Sequence, residues 1–361
     1  AAYMGGAGAL AVASGMAAIF SSVASITSAG QNIVSGSNIY GGTMTLFEHT
    51  LKRFGIEVRF VDSSNPQHFA DAMDENTRLF FTEAIGNPRC NVDDLEAIQA
   101  IARKSCVPLV LDATTCPPPI GDPLALCDIA LFSLTKIIGG HGTAIGGAIV
   151  DKGTYDWNCG DYPEITGPDP TYHGLNLWET MGGLANGPVP YLALKARIGI
   201  LRDTGAAISP MNAHAILQGL ETLDLRGPRH CENAMKVAEF LESHPAVAWH
   251  NYAGRPCHPD HVRAMKYFPL GPSAVFGFGV KGGSEAGRRF IESVKLCSHL
   301  ANILDARTLV IHPATTTHSQ CSAEELANSG VSDDLIRISV GLEHPDDIIA
   351  DLDQALRKSQ Q

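Results

Sequence analysis

Residues 130–142 read Ala-Leu-Phe-Ser-Leu-Thr-Lys-Ile-Ile-Gly-Gly-His-Gly: an apolar run enters a hydroxyl pair, a lysine and a glycine-rich turn. The run Ile129 to Ser133 fits a short buried strand, which puts Ser133, Thr135 and Lys136 at its end. Open α/β sheets bind ligands beyond the carboxyl ends of their strands. Hydroxyls there can donate to a phosphate. A lone lysine is more often a solvated surface charge, but this one follows apolar residues and precedes Ile137 and Ile138. Such burial lowers an amine's pKa and favours its nucleophilic form.

Outward from this stretch the chain alternates short apolar runs with helical patterns from residue 17 to about 222, the signature of a parallel sheet covered by helices. The expected strands are Asn32 to Ser35, Glu57 to Val61, Leu79 to Thr82, Leu109 to Asp112, Ile129 to Ser133 and Gly146 to Val150. Helices are expected over Leu46 to Phe54, Pro66 to Met73 and Asp94 to Lys104. Residues 153–190, rich in Gly, Pro, Trp and Tyr, read as an ordered excursion, a kind of segment that often carries function. Beyond residue 222 the order becomes helix (Arg229 to Ser243), strand (Ala274 to Val280), helix (Glu285 to Val294) and strand (Leu335 to Val340). The reading is an α/β protein with a mainly parallel large domain over 1–222 and a smaller α+β domain over 223–361.

Composition bounds the function. The 361 residues are 45% hydrophobic and 18% charged, ordinary for a packed protein of two domains. A net charge of −12 argues against nucleic acid or an anionic membrane as the main partner. The nine cysteines lack metal-ligand spacing and their odd count fits reduced thiols, hence a reducing compartment, the cytosol. The Ala- and Gly-rich first thirty residues have no basic n-region, and serines at 14, 21, 22 and 25 interrupt them, so they read as a buried helix rather than a signal peptide or span.

Asp112 ends an apolar strand, Leu109-Val-Leu-Asp. Alone it would be a turn or cap residue; beside Lys136 on a neighbouring strand end it is the candidate partner of a pyridine nitrogen, which a carboxylate keeps protonated. Ser14-Gly15-Met16 opens a helix whose free N–H groups form an anion site, a weak signal by itself. Tyr40, flanked by glycines just after a strand, could lay its ring on a planar ligand, with a core tyrosine as the equal alternative.

Eight segments, in order, carry a family resemblance along the whole chain: SGMAA (14–18), YGGT (40–43), TEAIGNP (82–88), LDATT (111–115), FSLTKIIGGHGTAIGG (132–147), QGLETL (218–223), HPATTTH (312–318) and DLIRISVGLE (334–343). The sequence resembles the γ-family of pyridoxal 5'-phosphate (PLP) enzymes of cysteine and methionine metabolism, and within it the O-acetylhomoserine sulfhydrylases. The resemblance implies PLP-dependent transferase fold type I, the aspartate aminotransferase-like fold. It implies that Ser14, Gly15, Met16, Ser133 and Thr135 hold the phosphate, and that Tyr40 stacks on the ring and shuttles a proton. Asn87 would bond the phenolic oxygen, Asp112 would face the pyridinium, and Glu83 would support the site. Lys136 would form the Schiff base and then act as base, while Arg337, helped by Asn302, would clamp the substrate carboxylate.

The implied reaction is γ-replacement on O-acetyl-L-homoserine: acetate leaves, and sulfide or a thiol adds at Cγ. Departures at Ala113, Phe132 and Leu304, where relatives carry Asn, His and Gly, leave room for a carbon or amine nucleophile, as in specialised fungal pathways. A γ-lyase and a non-catalytic PLP-binding protein are the remaining alternatives. Family members begin earlier, with a segment whose Tyr and Arg reach the neighbouring subunit's phosphate; the expectation is that this segment lies outside the sequence given. A homotetramer with shared active sites is likewise implied.

Other signals are discounted. Gly277-Phe-Gly-Val-Lys-Gly282 matches GxGxxG but falls inside a strand pattern, which argues against a dinucleotide site. His312 and His318 lack further ligand spacing, so no metal is expected, and His141 reads as a local hydrogen-bonding residue.

Overall fold

The computed structural model describes residues 1–316 and 330–361. A seven-stranded sheet forms its larger part, in the order β1-β7-β6-β5-β4-β2-β3. The strands are β1 (Gly8–Val12), β2 (Asn32–Gly36), β3 (Glu57–Val61), β4 (Thr77–Glu83), β5 (Leu109–Asp112), β6 (Ile129–Ser133) and β7 (Gly147–Asp151). Pairings from β3 through β2, β4 and β5 to β6 are parallel; β7 runs antiparallel to both β6 and β1. Strand β4 is buried at all seven positions, as a parallel strand covered on both faces must be. Its phenylalanines split between two apolar layers: Phe80 packs in one core with Phe69 and Leu111, Phe81 in the other with Phe47 and Val110.

The expected strands recur with ends shifted by a residue or two, whereas the helices expected from Leu46 and Arg229 start earlier, at Gly41 and Leu223; α1 (Gly15–Ala24) and α2 (Gly41–Thr45) begin one residue into the SGMAA and YGGT motifs. The opening segment is the correction. Gly8–Val12 is a strand rather than part of a helix, because its small apolar residues fill a narrow edge slot beside β7, where a Cβ on Gly8 would lie 2.4 Å from Pro190. In the excursion, helices Pro163–Thr166 and Leu177–Leu184 flank a minimal antiparallel pairing of β8 (Pro168–Asp169) with β9 (Leu175–Asn176).

A second sheet of five strands follows the long helix Leu223–Ser243. Its order is β10 (Val247–His250), β11 (Val275–Val280), β14 (Leu335–Ser339), β13 (Leu309–Ile311) and β12 (Ser298–His299). The GxGxxG match lies within β11, where Leu335 and Trp249 occupy the space beside Gly277 and Gly279, leaving no cradle for a dinucleotide. His312 is buried and bonded to Thr315 Oγ1 and to the Asp333 carbonyl, both at 2.8 Å, a structural role; His318 lies outside the described residues. Among the described residues no helix is long and apolar enough to cross a membrane.

Candidate active site

The carboxyl ends of β4, β5 and β6 place Glu83, Asp112 and Ser133 side by side, because Glu83 pairs in register with Asp112 and Asp112 with Leu131. The chain then turns tightly: the Lys136 N–H donates to the Ser133 carbonyl at 3.1 Å, and the Gly140 N–H donates back to the Lys136 carbonyl at 2.7 Å. Gly140 has φ +72°, the left-handed conformation a glycine adopts without strain. Lys136 is thereby presented beyond the sheet, half-buried.

Next to this turn, α1 begins. Ser14 caps it, its hydroxyl accepting the Ala17 N–H at 3.0 Å while its carbonyl accepts the Ala18 N–H at 3.0 Å. The Gly15 and Met16 amides, two of those that a helix start leaves without internal partners, have no hydrogen-bond partner among the described residues. They sit against Ser133: a Cβ on Gly15 would come 2.8 Å from Ser133 Cβ, so only glycine lets these groups meet. Among the described residues Ser133 Oγ has no hydrogen-bond partner. Thr135 Oγ1 accepts the Gly146 N–H at 3.1 Å and faces its carbonyl at 3.3 Å. Two open amides with a hydroxyl at a positive helix end suit a phosphate.

The acids form one wall. Glu83 is buried, and its Oε1 accepts the Tyr40 N–H at 2.6 Å, fixing the residue that opens α2. Burial first, and the Asp112 charge second, hold the Glu83 carboxyl well above the usual carboxylate range. Asp112 is pushed up by burial and partly restrained by Thr114, whose N–H donates to Oδ1 at 2.9 Å. Thr114 Oγ1 accepts the Ser133 N–H at 2.8 Å, linking the acid wall to the phosphate-type site. That link escaped the sequence reading, although a threonine just past a strand-end Asp was the available signal. Tyr40 is 51% exposed, so it is not a core tyrosine.

The bases form the other wall. Lys136 Nζ donates to Asn302 Oδ1 at 2.6 Å, and its pKa is lowered by burial and then by Arg337. Arg337 sits mid-strand in β14 between Gly277 and Ile311, with Nη2 3.5 Å from the Ala301 carbonyl. Asn302 thus faces the lysine, whereas the resemblance grouped it with the arginine. Asn87 lies farther out, lining a small pocket with Thr115, Cys90 and Ile303. The altered positions Ala113, Phe132 and Leu304 are all buried in the apolar core. His141 is exposed and, among the described residues, has no hydrogen-bond partner, so the local bonding read for it is absent.

A buried amine, a strand-end acid and an anion cradle on one α/β sheet define an enzyme that works through pyridoxal phosphate, and the residues fit that group: Gly15 keeps open a phosphate cradle that a Cβ would close. The chain belongs to the Cys/Met metabolism PLP-dependent enzyme family, whose model matches residues 1–357. It is 51% identical to O-acetyl-L-homoserine sulfhydrylase 1 of Thermus thermophilus, covering 99% of this chain and 84% of that protein. It is 47% identical to homocysteine synthase of Schizosaccharomyces pombe, covering 97% and 81% respectively. A solved Campylobacter jejuni structure, assigned as an O-acetylhomoserine (thiol)-lyase and carrying a pyridoxyl-lysine monophosphate, superposes with a TM-score of 0.92 at 40% identity, over 99% of this chain and 84% of that one. The fold is accordingly fold type I of the PLP-dependent enzymes.

Proposed function

We propose that this enzyme replaces the acetyl-oxygen group of O-acetyl-L-homoserine with sulfide, releasing acetate and giving homocysteine. The observation that carries the reading is the base wall: a half-buried amine and a guanidinium are set beside each other and, among the described residues, bond only neutral groups, which suits an amino acid whose carboxylate enters between them. The names of the most similar proteins support it, all sulfhydrylases or homocysteine synthases. They do not favour a carbon or amine nucleophile, a γ-lyase or a non-catalytic protein.

Pyridoxal phosphate supplies the electron sink that stabilises negative charge at the substrate α-carbon. Lys136 Nζ would anchor the cofactor and, once released, would move the proton at Cα; burial and then the Arg337 charge lower its pKa below the ordinary lysine value, favouring the neutral amine that a base must be. A second proton leaves Cβ as acetate departs from Cγ; hydrosulfide then adds at Cγ, and protons return to Cβ and Cα. Arg337 grips the α-carboxylate through its planar fork and Asn302 assists, fixing the α-carbon's orientation. Asp112 would pair with the ring nitrogen, and Asn87 would bond the phenolic oxygen. The Gly15 and Met16 amides, beside Ser14, would hold the phosphate with Ser133 and Thr135. Tyr40, whose N–H is held by Glu83, would stack on the ring and shuttle a proton through its phenol.

Residues 1–222 serve as the cofactor domain and 223–361 as the smaller one. The working form is a cytoplasmic homotetramer with active sites shared between subunits. The test is to incubate the holoenzyme with O-acetyl-L-homoserine and, separately, sulfide, small aldehydes or ketones, and proline, and to identify products by mass. Homocysteine with sulfide alone is expected. A carbon–carbon or carbon–nitrogen product, a 2-oxo acid without added nucleophile, or no acetate release would each overturn the proposal.

A further inference from the structure

The long helix Leu223–Ser243 turns a buried polar stripe toward the site. Arg226, His230 and Asn233 recur at the spacing that keeps side chains on one helix face, and all are buried, Arg226 at 6% exposed and the others at 0%. Buried polar groups mostly find partners; the donors of this stripe bond backbone carbonyls and the Thr222 hydroxyl, whereas His230 Nε2 and Asn233 Oδ1 have no partner among the described residues. The Arg226 guanidinium donates from Nη1 to the Ile137 carbonyl at 2.7 Å, and from Nη2 to those of Ile138 at 3.1 Å and Gly219 at 2.6 Å. Its Nε donates to Thr222 Oγ1 at 3.0 Å. Ile137 and Ile138 directly follow Lys136. The guanidinium also fills the space over Gly140, where a Cβ would lie 2.2 Å from Nη1.

The same helix holds the other wall. His230 Nδ1 donates to the Val340 carbonyl at 2.8 Å, and Asn233 Nδ2 donates to those of Gly341 and Glu343, each at 2.9 Å. These residues continue directly from β14, which bears Arg337. A backbone link closes the circuit, since the Gly140 carbonyl accepts the Ala306 N–H at 2.8 Å and the Ala306 carbonyl accepts the Leu342 N–H at 2.8 Å. Among the described residues no carboxylate pairs with Arg226. A buried cation bonded only to carbonyls and a hydroxyl is costly, and its planar fork is suited to holding several acceptors in a fixed geometry.

We propose that Arg226 is a positioning residue for Lys136: it fixes the turn 136–140 and, through the helix it shares with His230 and Asn233, sets where the reactive amine stands relative to Arg337. The proposal rests on Lys136 being the reactive amine. It is tested on holoenzyme carrying Arg226→Met or Arg226→Lys, measured for kcat, for KM toward O-acetyl-L-homoserine, for the pH midpoint of the lysine–cofactor absorbance and for melting temperature. Misplacing a reacting group by an ångström costs on the order of 100-fold. We expect kcat to fall about 10- to 100-fold in both variants, with KM changed less than about threefold. The absorbance midpoint should shift by about half a unit or more. Lysine rescues poorly because one ammonium cannot span the same acceptors. Should the methionine variant fail to fold, the lysine variant, which keeps the charge, decides alone. Wild-type kcat and midpoint in a folded variant would overturn the proposal, as would a loss of kcat that tracks melting temperature with the midpoint unmoved. If the wild-type absorbance did not depend on Lys136, the assignment of the lysine would fail rather than that of Arg226.

Discussion

The two walls of the site carry opposite charge at half-buried positions, with Glu83 the one buried member of the four, and each handles like-charge crowding differently. At the acid wall Glu83 and Asp112 stand on adjacent strands and answer burial by holding protons more tightly. At the base wall Arg337 cannot release its proton in practice, so Lys136 yields, its pKa lowered beside that neighbour. Among the described residues none of these four groups has an ion-pair partner of opposite sign. A buried charge without such a partner is expensive. The contrast teaches that the walls are complementary to something between them, cationic where it meets Asp112 and anionic where it meets Arg337, as a cofactor–substrate pair would be.

Several substitutions would break or sharpen that contrast. The largest effect is expected from Lys136→Ala, which removes both anchor and base: turnover should fall at least about 1,000-fold and the bound cofactor should lose its lysine-dependent absorbance. Asp112→Asn keeps the shape and deletes the charge, so kcat should drop on the order of 100-fold with cofactor still binding, as titration by absorbance would show. Arg337→Lys breaks the planar grip, and KM for O-acetyl-L-homoserine should rise about 10- to 100-fold, more than kcat falls. Glu83→Gln should change kcat by less than about threefold, because the amide oxygen can still accept the Tyr40 N–H that Glu83 Oε1 accepts; a large loss would mean that the carboxylate charge is used.

The walls should also separate in the pH dependence of apo-protein stability. Asp112 is raised above its ordinary value of 3.8, so above that pH the folded state holds a proton the unfolded chain has lost. Its contribution is fully present below about 3.8 and is lost as pH rises through the folded value. Lys136 is lowered below 10.5, so between its folded value and 10.5 the unfolded chain holds the extra proton and stability rises with pH. Comparing chemical denaturation of Asp112→Asn and Lys136→Met with wild type across pH isolates each slope; an unaltered slope in either variant would contradict the burial assigned to that wall.

The parallel strands were legible because buried strands read as continuous apolar runs, and the strand-end residues Asp112, Ser133 and Lys136 followed from them. Gly8–Val12 was not legible: its small residues are explained by an edge slot beside Pro190 and β7, a tertiary constraint with no local signature. The motif DLIRISVGLE supplied Arg337 and the wider family resemblance Asn302, which no local periodicity could tie to Lys136 across the intervening chain. Arg226 was missed because the expected helix began at Arg229, three residues beyond it, and its carbonyl partners at Ile137 and Ile138 appear only once the longer helix Leu223–Ser243 is docked.

The central claim, that Lys136 is the amine that captures the cofactor, is tested most directly by reducing the holoenzyme with borohydride and locating the pyridoxyl group by peptide mass spectrometry. The account predicts the modification on the peptide containing Lys136 and nowhere else. A pyridoxyl group on another lysine, or an unmodified Lys136 in fully reduced, active enzyme, would contradict it.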